Sequence, residues 1–253
     1  MFRSKLIVAN WKLHPKTPRE ALQLFSATEQ IAGQFRSVDI VVCPPFVYIP
    51  ALLGNASRVA VGSQDVSSEQ EGAFTGEVAA SMVQSIGAKF AIVGHSERRN
   101  VFGESEDVIR KKVLLALQAG LHVILCVGEK QGDAEGEFIG IIKKQLQSAL
   151  TKIPKKLSSR ITIAYEPVWA IGSGKPDTPE NTREVVIYIK KLFYDMFGKK
   201  VSEGFRVLYG GSVIPENAGV FLEEANVDGL LVGGSSLNMK RFEKIVSIAA
   251  NIE

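Results

Sequence analysis

The sequence predicts an α/β fold: a single (β/α)8 barrel with a parallel eight-stranded core and outer helices. Three observations predict it. Short apolar runs recur along the chain, helix-start signals fall between them, and the runs number eight. The 253 residues also match the roughly 250 that one such barrel takes, so residues 1–253 are expected to form one domain.

In order, the runs are Leu6-Ile7-Val8-Ala9, Ile40-Val41-Val42-Cys43, Val59-Ala60-Val61 and Phe90-Ala91-Ile92-Val93, then Val123-Ile124-Leu125-Cys126-Val127, Ile161-Thr162-Ile163-Ala164-Tyr165, Val207-Leu208-Tyr209 and Leu230-Leu231-Val232. Near-continuous apolar runs suit parallel strands covered on both faces. Thr17-Pro18-Arg19-Glu20 reads as an N-cap, a proline at the first helical position and a capping-box glutamate. Ser105-Glu106-Asp107 opens a later helix with acid in its first turn, and Gly120 closes it. Thr178-Pro179 repeats the cap, followed by an apolar stripe of Val185, Ile189, Leu192 and Phe193. Two of the intervening helices must be short. The alternation predicts a parallel sheet with right-handed crossovers, open and doubly wound or closed. Eight runs favour the closed barrel.

With 30 basic and 27 acidic side chains, the formal charge of +3 is too small to suggest a nucleic-acid partner. It still suits a small anionic substrate. Cys43 and Cys126 lie inside apolar runs, as buried free thiols in a reducing compartment would. The start, Met1-Phe2-Arg3-Ser4-Lys5, has no signal-peptide pattern, and no segment is apolar enough to span a membrane. A cytoplasmic location is expected.

Catalytic residues of such barrels collect where strands end. The first run ends in Asn10-Trp11-Lys12, the third in Gln64, and the fourth in Gly94-His95-Ser96-Glu97-Arg98. Glu166 follows the sixth, Gly210-Gly211-Ser212 the seventh, and Gly233-Gly234-Ser235 the eighth. Each has an ordinary reading alone: Lys12 as a surface charge, His95 as a structural histidine, Glu166 as a cap or ion-pair partner, the glycines as turns. Together, a lysine, a histidine and a carboxylate at one mouth beside two glycine turns fit a proton-transfer enzyme with an anion site.

Several segments carry a resemblance to a known family. They are Asn10-Trp11-Lys12, Gly76-Glu77, Val93-Gly94-His95-Ser96-Glu97-Arg98-Arg99, Ala164-Tyr165-Glu166-Pro167-Val168-Trp169-Ala170-Ile171-Gly172, Tyr209-Gly210-Gly211-Ser212 and Leu231-Val232-Gly233-Gly234. In this order they resemble the triosephosphate isomerase family from first strand to last. The resemblance implies a TIM barrel that interconverts dihydroxyacetone phosphate and D-glyceraldehyde 3-phosphate through a cis-enediolate, without cofactor or metal. Glu166 would be the base, His95 a neutral acid and Lys12 the electrostatic partner. Asn10 would help place the substrate oxygen, and Glu97 would orient Lys12 or assist proton handling. Backbone N–H groups of Gly172, Ser212, Gly233 and Gly234 would hold the phosphate. Residues 167–175 would form a lid, with Ile171 and Leu231 pressing on Glu166.

The segment Gly72-Ala73-Phe74-Thr75-Gly76-Glu77 resembles the family's interdigitating loop, which implies a homodimer through the Thr75 loop. The chain departs from the family pattern at Leu13 and His14, at Asp65, at Ser235 and at Pro176-Asp177. His122 reads as structural. Two other readings are a Schiff-base aldolase using Lys12 and a non-catalytic phosphosugar-binding or scaffold protein on the same fold. The latter would be marked by loss of Lys12, His95 or Glu166, and all three are present.

Overall fold

The apolar runs become eight strands: β1 (Lys5–Asn10), β2 (Val38–Cys43), β3 (Ala60–Ser63), β4 (Phe90–Val93), β5 (His122–Val127), β6 (Ile161–Tyr165), β7 (Arg206–Tyr209) and β8 (Gly229–Val232). The computed structural model describes residues 4–130, 137–170, 176–202 and 204–252. Each strand pairs in parallel with the next, and β8 pairs back onto β1 to close the barrel. Closure needs Gly229, because a β-carbon there would lie 1.9 Å from the Leu6 carbonyl oxygen. The third strand runs further than its apolar residues suggested. Gly62 and Ser63 belong to it, and neither carries an apolar side chain to signal it.

Strand alternation sorts the side chains into two cores. Leu6, Val8, Val41, Ile92, Ile124, Ala164 and Leu208 fill the barrel, together with the free, buried thiols Cys43 and Cys126. Ile7, Ala9, Val42, Val93, Val123 and Leu125 face outward against helix residues such as Phe25, Ile109, Ile189 and Phe242. With both faces covered, the strands have no polar side to show in the sequence.

The outer layer is α1 (Pro18–Gln34), the short α2 (Ile49–Leu53) and α3 (Ala80–Ser85), α4 (Ser96–Asn100), α5 (Glu106–Gln118), α6 (Glu137–Leu150), α7 (Pro179–Phe197), α8 (Lys199–Ser202), α9 (Pro215–Glu223) and α10 (Met239–Ala250). The Thr17, Ser105 and Thr178 side chains cap α1, α5 and α7 as expected. Glu20 departs from the capping-box reading in one respect: its carboxylate accepts from the Lys16 amide rather than from that of Thr17. Among the described residues, no helix is long and apolar enough to cross a membrane. His122 opens β5 at the opposite end from the strand C-termini, with Nε2 3.0 Å from the Thr162 hydroxyl.

Candidate active site

The C-terminal strand ends bring together Asn10, Lys12, His95, Glu166 and Ser212, with Gly233 and Gly234 on the far side, around a pocket of about 310 Å³. Gly172 and Ile171 lie outside the described residues.

Lys12 leaves β1 with φ of 52°, in the left-handed region that costs a non-glycine residue roughly 1–2 kcal/mol. Its neighbours hold it there. The Lys12 amide donates to Asn10 Oδ1 at 3.1 Å, and Gln64 Nε2 donates to the Lys12 carbonyl at 2.7 Å. Gln64 also reaches the Cys43 carbonyl at 2.9 Å, which ties the turn to β2. The ammonium then meets Glu97 Oε1 at 2.6 Å. Asn10 therefore acts on the shape of the Lys12 turn, and Glu97 acts on its charge.

His95 caps α4, and its Nδ1 accepts from the Glu97 amide at 3.2 Å. With Nδ1 placed to accept, Nε2 is the ring nitrogen placed to donate. Nε2 lies 3.2 Å from Glu166 Oε1, without the alignment of a good hydrogen bond. The other carboxylate oxygen, Oε2, accepts from the Ser96 amide at 2.8 Å. Glu166 is thus buried, 2% exposed, yet half of its carboxylate is satisfied by one backbone N–H. Gly210 makes room for it: a β-carbon there would come within 3.0 Å of Glu166 Cγ. Leu231 borders the same pocket.

Across the pocket, a 3-10 turn, Gly234–Leu237, starts immediately beyond β8. Ser235 Oγ donates to the Val213 carbonyl at 2.7 Å, joining this turn to the loop after β7. That bond gives Ser235 a structural task at the pocket rim.

Several residues beside the site were not assigned to it from the sequence. Arg241, in the first turn of α10, lines the mouth pocket. Cys126 lies beside Glu166, and burial, with that carboxylate adding to it, pushes its thiol well above the ordinary range. Glu129 is buried and accepts from Trp169 Nε1 at 2.8 Å and from the Tyr165 hydroxyl at 3.0 Å. It anchors the segment that follows Glu166. Burial holds its carboxyl above the usual range. Reading the residues that follow the fifth apolar run would have found Glu129.

A wider hollow of about 640 Å³ opens from Asn10, Lys12 and His95 toward Phe46, Val78 and Phe102. Around it, Leu13, Val101 and Phe102 are 90%, 74% and 65% exposed, an apolar rim out of keeping with a water-facing surface. The Thr75 loop is exposed from residue 71 to residue 77 and turns on Gly72 and Gly76, both at positive φ.

A family model described as triosephosphate isomerase matches residues 5–249. Among similar proteins, the triosephosphate isomerase of Carboxydothermus hydrogenoformans is 41% identical, covering 96% of this chain and 98% of that protein. That of Aquifex aeolicus is 42% identical with the same coverage, and that of Symbiobacterium thermophilum is 39% identical over 98% of each.

Proposed function

This chain belongs to the triosephosphate isomerase family, whose enzymes interconvert dihydroxyacetone phosphate and D-glyceraldehyde 3-phosphate, and we propose that it does so with Glu166 as base and neutral His95 as acid. The carrying observation is the accepting Nδ1 of His95, which leaves Nε2–H free to donate beside the carboxylate of Glu166. Moving a carbonyl by one carbon requires loss of the proton alpha to it, giving a cis-enediolate. Glu166 takes that proton and returns it to the neighbouring carbon. In this scheme substrate takes the place of the Ser96 amide, which holds Oε2 at 2.8 Å.

His95 Nε2–H donates to the substrate oxygens, where a neutral donor suits the basicity of an enediolate. Lys12 places its charge where the oxyanion develops, oriented by Glu97, and Asn10 keeps the Lys12 turn in place. The Ser212, Gly233 and Gly234 amides bind the phosphate. No metal or cofactor enters this scheme.

The apolar rim at Leu13, Val101 and Phe102 supports a homodimer in which the Thr75 loop of a second copy fills the 640 Å³ hollow. The cytoplasm is the compartment this glycolytic reaction suits. A coupled assay with glyceraldehyde 3-phosphate and purified protein tests the whole reading. Absence of turnover in the folded protein would reject it.

A further inference from the structure

Asp177 is 3% exposed, and the chemistry above leaves it unused. It stands where the chain enters α7. Its Oδ1 accepts from the Thr178 amide at 2.8 Å and from Asn181 Nδ2 at 3.4 Å, and its Oδ2 from the Thr182 hydroxyl at 2.9 Å. Helix capping does not require these bonds. Thr178 already caps α7 through the Asn181 amide at 3.2 Å, with Pro179 beginning the helix. A carboxylate withdrawn from water without need is a net cost. Burial pushes the Asp177 carboxyl above the usual range, against the hydrogen bonds that pull it down. Glu129 adds like charge from the end of β5.

The other contacts of Asp177 lead to the active site. Its backbone amide donates to the Tyr209 hydroxyl at 3.3 Å, while the Tyr165 hydroxyl donates to Glu129. Tyr165 and Tyr209 are register partners at the ends of β6 and β7. Glu166 follows the first, and Gly210 and Gly211 follow the second. A β-carbon at Gly211 would meet the Tyr209 hydroxyl at 2.4 Å, so that hydroxyl defines where the phosphate-side loop lies.

We infer that Asp177 is a positioning residue: it holds Tyr209, and through strand pairing its register partner Tyr165, to the first turn of α7 and so keeps the base and the phosphate loop in register. The inference rests on the proposed roles of Glu166 and the Ser212 loop.

Asp177→Ala and Asp177→Asn are compared with Glu166→Gln and the parent in the triose phosphate assay, with inhibition by inorganic phosphate as a second readout. Asp177→Ala keeps the Thr178 cap and is expected to fold, with kcat about tenfold lower and phosphate inhibition weakened several-fold. Asp177→Asn retains an oxygen for the Thr178 amide and is expected to restore most of both. If Asp177→Ala does not fold, Thr182→Val, which removes the Oδ2 donor at similar volume, is expected to show the same two losses in smaller measure. Parental kcat, KM and phosphate inhibition in the folded Asp177→Ala or, failing that, in Thr182→Val overturn the inference, and so does a loss confined to melting temperature. A fully active Glu166→Gln would reject the base assignment instead. Inactive Glu166→Gln beside unchanged Asp177→Ala rejects the positioning role alone.

Discussion

The ring of His95 accepts the Glu97 amide through Nδ1 at 3.2 Å, which leaves Nε2 as the nitrogen placed to donate. The Glu97 amide belongs to the first turn of α4, where the helix presents its positive end to the ring. Nitrogen-15 spectra at neutral pH should show one protonated ring nitrogen in His95, assigned to Nε2. His95→Gln should keep the fold and lower kcat by roughly 10²–10³, the worth of one aimed donor. A doubly protonated ring in the free enzyme would remove the argument for a neutral acid.

Glu166→Gln should fold, because its amide oxygen can still accept from Ser96 and its volume is unchanged. Its kcat should fall by at least about 10²–10⁴, the contribution of a positioned base. Inhibition by inorganic phosphate should persist, since the anion cradle is built from other residues. A folded variant with parental turnover would transfer the base role elsewhere.

For Lys12, conformation and charge can be tested separately. Lys12→Met removes the ammonium that meets Glu97 at 2.6 Å, and should lower kcat/KM while weakening anion binding. Asn10→Ala leaves the ammonium but removes the Oδ1 that holds the turn at positive φ. It should therefore lower kcat with less effect on phosphate inhibition. Equal effects from both substitutions on both readouts would contradict this division.

The barrel was legible because its strands are covered on both faces. Runs such as Val123-Ile124-Leu125 can be apolar throughout, and their ends point at Lys12, His95 and Glu166. Caps were legible too, since Thr17, Ser105 and Thr178 act within three residues of their own positions. What escaped depended on contacts distant in sequence, or on a strand without an apolar signal. Asp177 is a loop carboxylate until Tyr209, from β7, is brought beside it. Arg241 is a helix-surface arginine until barrel closure sets α10 beside the loop after β7. Gly62 and Ser63 extend β3 without any hydrophobic mark.

Arg241 leads to a prediction about encounter rather than chemistry. Its exposed side chain borders the phosphate end of the mouth pocket, and among the described residues no ion-pair partner is seen for it. An exposed cation there raises the local concentration of a dianionic substrate, an effect that salt screens over about 10 Å at 0.1 M. Arg241→Gln should raise KM several-fold at low ionic strength with kcat nearly unchanged, and the gap should close as salt is added. A kcat loss independent of salt would instead place Arg241 in the chemical step.

Residues 71–77 stand out from the barrel, with Phe74 48% exposed at the turn, while Leu13, Val101 and Phe102 rim a hollow that reaches Lys12 and His95. If the loop of one copy fills the hollow of another, the same contact buries the apolar rim and supports the strained Lys12 turn from outside. Association and turnover should then fail together. Thr75→Arg places a long cation near Lys12 and Arg98 of the other copy, where like charge opposes docking. Sedimentation should show a shift toward monomer, and kcat/KM should drop over the same concentration range. Raising the protein concentration should recover both in parallel. A parent chain fully active at concentrations where sedimentation finds only monomer would show that each site is complete within one chain, leaving the apolar rim without a catalytic role.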